Sequence, residues 1–149
     1  MERRKVLLTN GSVPKRDQTV GWMERLNPFS NPPLGLLYLA GVLEREGHCV
    51  DVVDFAPSCM DQEAFIARLE AFEPDVVGIS CVTATYSFCA EIARLAREVV
   101  PNALVVFGGP FPSFRYQHVL ENTAADCLVR FEGEQTILDL LAHLHNGRR

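Results

Sequence analysis

A single domain built on a five-stranded parallel sheet, with helices on both faces, is what this chain predicts, and three observations predict it. Short apolar runs alternate with longer stretches of helical periodicity five times along 149 residues, which is the pattern of parallel strands joined by right-handed helical crossovers. The run Asp75 to Ser80 (DVVGIS) is apolar nearly throughout, as a strand covered on both faces must be. Two runs stop abruptly at small or hydroxylated residues, Ser80 to Thr85 and Gly108 to Ser113. Strands end in this way when their carboxyl tips border a ligand crevice. The expected arrangement is flavodoxin-like or Rossmann-like and doubly wound, in the order 2-1-3-4-5.

Taken in order, Lys5 to Thr9 (KVLLT) reads as a buried first strand closed by the turn Asn10-Gly11. Ser12 to Pro33 is rich in Pro, Asn, Gly and charge and carries Trp22; so long a connection in a compact domain implies a task, such as a lid or a docking loop. Leu34 to Glu46 has the spacing of an amphipathic helix, with Pro33 at its start and Gly47 at its end. Val50 to Phe55 alternates valine with Asp51 and Asp54, as expected of a strand near an edge. Asp61 caps a helix that runs to Phe72 and is stopped by Pro74. After strand three, Tyr86 to Val100 forms a helix on the stripe Ile92, Leu95, Ala96, Val99, and Ala103 to Phe107 is strand four. Ser113 to Asn122 predicts a weaker helix, Asp126 to Arg130 a short fifth strand, and Glu134 to Asn146 a closing helix.

Composition narrows the function. A chain of this length buries about two thirds of its unfolded surface around one core. Its hydrophobic fraction is 48% with 22% charged residues, so it is globular, and it contains no apolar run of membrane-spanning length. The apolar run after the charged Met1 to Arg4 is too short for a secretory signal, which predicts a cytoplasmic protein. A net charge of -5 leaves no basic stripe for nucleic acid. The five cysteines are scattered without CxxC or CxxxCxxC spacing, the pattern of reduced core thiols rather than of a metal site.

With strand order 2-1-3-4-5, the switch point lies between strands one and three. The turns Thr9 to Ser12 and Ser80 to Thr85 then face each other, and Gly108-Gly109 lies one strand further along. Adjacent glycines at a strand tip let a ligand approach the backbone, although a tight turn accounts for them equally well. Ser80, Thr83 and Thr85 supply hydroxyls, or Thr85 simply caps the next helix. Neither GxxxxGK[ST] nor GxGxxG occurs, which sets phosphate-loop chemistry aside. Glu134 suits a helix N-terminus, whereas Glu132 lies open just past strand five. The four histidines are dispersed, and no Ser-His-Asp or Cys-His set exists, so no catalytic residue is assigned.

Four segments, PPLGLLYLAGVLEREGHCVDVVDF (32 to 55), PDVVGISCVTATYSF (74 to 88), LVVFGGPFPS (104 to 113) and VRFEGE (129 to 134), together resemble the N-terminal cobalamin-binding domain of cobalamin-dependent radical S-adenosylmethionine enzymes. The resemblance covers nearly all of residues 1–149. It implies a corrin ring over the strand tips and a nucleotide tail, ending in dimethylbenzimidazole, threaded toward the sheet. It also implies tail contacts from Ser80, Thr83, Gly108 and Gly109, a cofactor contact from Val82, ring contacts from Thr85, Pro110 and Glu132, and a lower face bordered by Asn10, Gly11 and Ser12. The DxHxxG motif of the wider fold is absent, since Thr9 to Pro14 reads TNGSVP. A base-off, histidine-off cobalamin is therefore implied, a state that favours four-coordinate cobalt(I) as the acceptor of a methyl cation. No protein ligand to metal is expected. Phe111 and Phe131 depart from the family pattern, which often has histidine and glycine there. S-adenosylmethionine and an iron-sulfur cluster are expected only in a radical domain or subunit, because the CxxxCxxC segment is missing. The alternative is a flavodoxin-like or response-regulator-like signalling or interaction module without corrinoid. A receiver would need acidic residues where Thr9-Asn10 and Ser80-Cys81 stand, and a flavin carrier a richer phosphate loop than Asn10 to Val13.

Overall fold

The computed structural model describes residues 2–11, 32–55 and 61–144. Five parallel strands, β1 (Lys5–Asn10), β2 (Cys49–Val53), β3 (Val76–Ser80), β4 (Leu104–Gly108) and β5 (Cys127–Leu128), form one sheet in the order β2-β1-β3-β4-β5. The helices are α1 (Leu34–Arg45), α2 (Gln62–Phe72), α3 (Tyr86–Val99), α4 (Pro110–Phe114), α5 (Tyr116–Asn122) and α6 (Glu134–His143). No helix among the described residues is long and apolar enough to cross a membrane. The long connection with Trp22 and Ser12, together with Cys59 and the expected last turn at Asn146, lies outside the described residues.

Side chains alternate between the two faces of each strand, and this divides the core. Leu7, Val77, Ile79, Val105 and Phe107 face α2 and α3, where Phe65, Leu69, Ile92 and Ala96 complete the larger buried cluster. Val6, Leu8, Val76 and Val106 face α1 and α6, against Leu36, Ala40, Leu43, Ile137 and Leu141. β2 is an edge strand, as its alternation predicts, and Arg68 of α2 clamps Asp51 on it with two hydrogen bonds of 2.6 and 2.5 Å. The Asp61 carboxylate accepts from the Ala64 backbone N–H at 2.9 Å, capping α2.

Three boundaries differ from the sequence reading. The helix expected over 113 to 122 is two short helices, because Pro110 and Pro112 start a turn early and Arg115 leaves helical geometry at φ -119°. The fifth strand is confined to two residues, since the chain turns at Phe131, whose φ is +61°. The closing helix ends at His143.

At the amino-terminal edge of the sheet, His48 is only 5% exposed; its Nδ1 accepts from the Arg4 backbone N–H at 3.2 Å, and its Nε2 has no partner among the described residues. Burial lowers its pKa, opposed in part by Glu46 and reinforced by Arg4. Its folded-state pKa lies below the unfolded value, so the unfolded chain takes up the proton first, and His48 costs stability as pH falls below about 6.5. Urea midpoints measured from pH 7 to pH 5 should fall more steeply for the native chain than for His48→Gln; parallel curves would show that His48 is not the group responsible.

Candidate functional site

The register of the sheet sets out the site in two rows. At the tips, Asn10, Ser80 and Gly108 are direct neighbours across β1, β3 and β4, and two residues back stand Leu8, Gly78 and Val106. Ser80, Gly78, Gly108 and Val106 share one face by the two-residue period of a strand. In the deeper row, glycine occupies the central position, and the Leu8 side chain leans over it, its Cδ2 2.8 Å from where a Cβ would stand.

A crevice of about 740 Å³, counting the space open at its mouth, follows these rows between the sheet and the helices α1 and α6. The sheet contributes Leu8, Gly78, Ile79, Ser80, Val106, Gly108 and Gly109; α1 contributes Gly35, Leu36 and Leu39; Val129, Phe131, Glu132, Gly133, Glu134 and Ile137 close the far side. A second opening of about 570 Å³ lies over the switch point, lined by Asn10, Gly11, Pro33, Leu34, Gly35, Leu36, Ser80, Val82 and Thr85. Ser80 and Gly35 belong to both, so the two spaces adjoin.

Glycine is required here by geometry at specific points. Gly109 has φ +94° and ψ -176°, a region nearly closed to side-chain-bearing residues. A Cβ on it would stand 2.9 Å from the Cys81 carbonyl oxygen. That closeness is fixed by backbone bonds from Cys81 N–H to Gly108 O at 2.9 Å and from Phe111 N–H to Cys81 O at 3.2 Å. Gly11 is equally confined, with Thr85 and Cys89 within 2.7 Å of its would-be Cβ. Gly35 differs: among the described residues a Cβ there meets nothing within 4 Å.

The polar groups divide into committed and free. Asn10 donates from Nδ2 to Asp54 at 2.9 Å and accepts from the Phe55 backbone N–H at 3.1 Å, which ties the tips of β1 and β2 together. The buried Thr85 hydroxyl accepts from Val82 N–H at 3.3 Å and donates to Val82 O at 3.2 Å; it closes its own turn and does not cap α3. Cys81 Sγ donates to Val82 O at 3.4 Å, and the neighbouring Cys89 together with burial holds its thiol well above the ordinary range, so it stays protonated. Ser80, by contrast, makes no side-chain hydrogen bond among the described residues, although it lines both spaces. The Glu132 carboxylate has no ion pair among them either.

Of the sequence candidates, Ser80, Gly108, Gly109 and Glu132 meet at the larger crevice and Asn10, Gly11, Ser80, Val82 and Thr85 at the smaller one. Thr83 is exposed and Pro110 starts α4, and neither lines these spaces; Ser12 lies outside the described residues. Sequence reading missed Gly35, Gly78 and Gly133. Counting back two residues from Ser80 would have found Gly78. No described histidine lines either space, and no group of three or more potential metal ligands occurs among the described residues.

A doubly wound sheet with an open crevice between its tips and one helical layer defines a class of cofactor-binding α/β domain. Residues 28–141 match the B12 binding domain family, and the chain belongs to that family. It is 32% identical over 149 residues to an uncharacterized methyltransferase of Pyrococcus horikoshii, covering 99% of this chain and 31% of the relative. It is 33% identical over 112 residues to the anaerobic magnesium-protoporphyrin IX monomethyl ester cyclase of Cereibacter sphaeroides, covering 74% of this chain and 18% of the relative. The radical S-adenosylmethionine methyltransferase TsrM of Kitasatospora setae, solved with cobalamin and a [4Fe-4S] cluster, superposes with a TM-score of 0.77 at 23% identity, over 99% of this chain and 26% of that one. The chain thus spans less than a third of each of these proteins.

The strain at Gly109 changes which substitution can probe the site. Replacing it by leucine to block the crevice would strain the backbone and collide with Cys81. Gly109→Ala alone should cost about 1–3 kcal/mol, read as a lower urea midpoint; an unchanged midpoint would show that the turn relaxes freely.

Proposed function

We propose that this chain holds cobalamin base-off and without a protein histidine beneath the cobalt, its nucleotide tail inserted in the larger crevice. What carries the reading is the crevice itself. It is floored by Leu8, Gly78 and Val106, walled by Gly35 and Gly108, and has the unbonded Ser80 hydroxyl at its entrance. A long, narrow ligand needs such a gap, and the apolar floor suits an aromatic base whose edge carries methyl groups. Ser80 offers one hydroxyl to a polar linkage of the tail. The free amides of the first turn of α6, which begins at Glu134 with no side-chain cap, lie on the same wall and favour negative charge.

When bound, cobalamin would supply a cobalt centre able to accept and donate a methyl group. The chain's own residues bind and orient it. The Asn10–Asp54 link holds the β1 tip in place, Thr85 and Gly11 keep the turns over the switch point packed together, and the tips present no imidazole to the lower face. Asn10, Gly11 and Ser12 would border that face, with Thr85, Pro110 and Glu132 around the ring.

The chain would serve as the cofactor part of a radical S-adenosylmethionine enzyme in the cytoplasm, catalysing methyl transfer or a rearrangement. S-adenosylmethionine and the iron-sulfur cluster would belong to a partner domain or subunit. Support comes from the relatives, which include methyltransferases of that type.

Gly35→Leu tests the crevice without disturbing the fold. Leucine favours a helix more than glycine does, and among the described residues a Cβ at Gly35 meets nothing within 4 Å. Both proteins should show equal or higher denaturation midpoints for the variant. After mixing with hydroxocobalamin and desalting, the native chain should retain corrinoid with a base-off visible spectrum and the variant should retain about tenfold less, a loss of about 1.4 kcal/mol in binding. A colourless native chain would overturn the assignment, and equal retention by Gly35→Leu would overturn the placement of the tail.

A further inference from the structure

We propose that Phe131 is a binding residue for the corrin macrocycle, presented at the crevice mouth by a strained turn that the fold itself does not need. The inference rests on the cobalamin reading above. Phe131 has φ +61°, a left-handed backbone that is uncommon for any residue with a Cβ and a genuine outlier for a bulky one. Burial does not compensate the strain, because the ring is 67% exposed. Its aromatic neighbour Phe114, 6.4 Å away edge to face, is itself 77% exposed. Arg130 lies over the Phe131 ring at 5.1 Å and over Tyr116 at 4.6 Å, again on the surface.

The conformation is nonetheless enforced. Ser113 is buried; its hydroxyl donates to Gly109 O at 2.9 Å and accepts from Phe131 N–H at 3.0 Å, while its carbonyl accepts from Arg130 Nε at 3.1 Å. One side chain thus locks the turn after β5 to the turn after β4. Strain held by surrounding bonds, in a residue that contributes little packing, points to a role in a ligand site. Phe131 also lines the larger crevice. The occupant that fits is therefore continuous with the tail in that crevice, and a broad, flat ring with apolar faces is the partner an exposed phenyl ring accepts by stacking or edge contact.

Four proteins separate this role from a structural one: the native chain, Phe131→Gly, Phe131→Ala and Phe131→Tyr. In the absence of ligand, Phe131→Gly should melt about 2–4 °C higher, since glycine relieves the left-handed strain, whereas Phe131→Ala keeps a Cβ in that conformation and should not gain. Hydroxocobalamin affinity, measured by equilibrium dialysis, should fall about tenfold in both, with Phe131→Tyr within about threefold of the native value. Higher stability with lower affinity in Phe131→Gly is the expected signature. Native affinity in both Phe131→Gly and Phe131→Ala would overturn the role of Phe131 and leave the cobalamin reading standing; a native chain without affinity would overturn both.

Discussion

The architecture of the site depends on how closely two backbones pass at the tips of β3 and β4. Cys81 and Gly108 are joined by a direct main-chain bond, and the chain then turns through Gly109 in a conformation that only glycine adopts without strain. Everything beyond the tips inherits its position from that approach. The Ser113 hydroxyl donates to the Gly109 carbonyl, the Phe131 N–H donates to the Ser113 hydroxyl oxygen, and α6 begins three residues later. A chain of local bonds thus runs from the middle of the sheet to the far wall of the crevice.

The two faces of the sheet are treated differently. Toward α2 and α3, large side chains interlock, with the Phe55 ring in contact with Phe65 at 5.2 Å and with Phe88 at 5.0 Å. Toward α1 and α6, Leu36, Ala40, Leu43, Ile137 and Leu141 pack on the strands, yet glycines in the strands and in the first turn of the helix leave a crevice near the tips. Packing at interior density on one side fixes the frame. The other side keeps a gap in the same frame.

The fold was legible because its signals are periodic. Alternating runs gave the five strands, the apolar DVVGIS marked the central strand, and Asp51 and Asp54 marked the edge. The family followed from four segments in matching order, and the candidate residues around Ser80 and Gly108 do converge on shared spaces. What escaped was whatever depends on a single dihedral angle or a single direction of approach. Gly35 and Gly78 sit inside regular elements, where glycine reads as a tolerated interruption, and only the packing reveals that Gly78 makes room for Leu8 while Gly35 faces the crevice. The positive φ of Phe131 has no sequence signal of its own, because phenylalanine is not the residue such a turn selects. Two prolines hid the break at Arg115, since proline opens a helix as readily as it ends one.

The gap beneath α1 and α6 has a mechanical consequence. A layer that touches the sheet along only part of its length is the weaker half of the molecule, and local opening events start where buried contacts are fewest. Any guest that fills the space becomes part of the interior and stiffens that half by mass action. Its escape rate would then depend on how often the two helices breathe away from the sheet as well as on contacts at the rim.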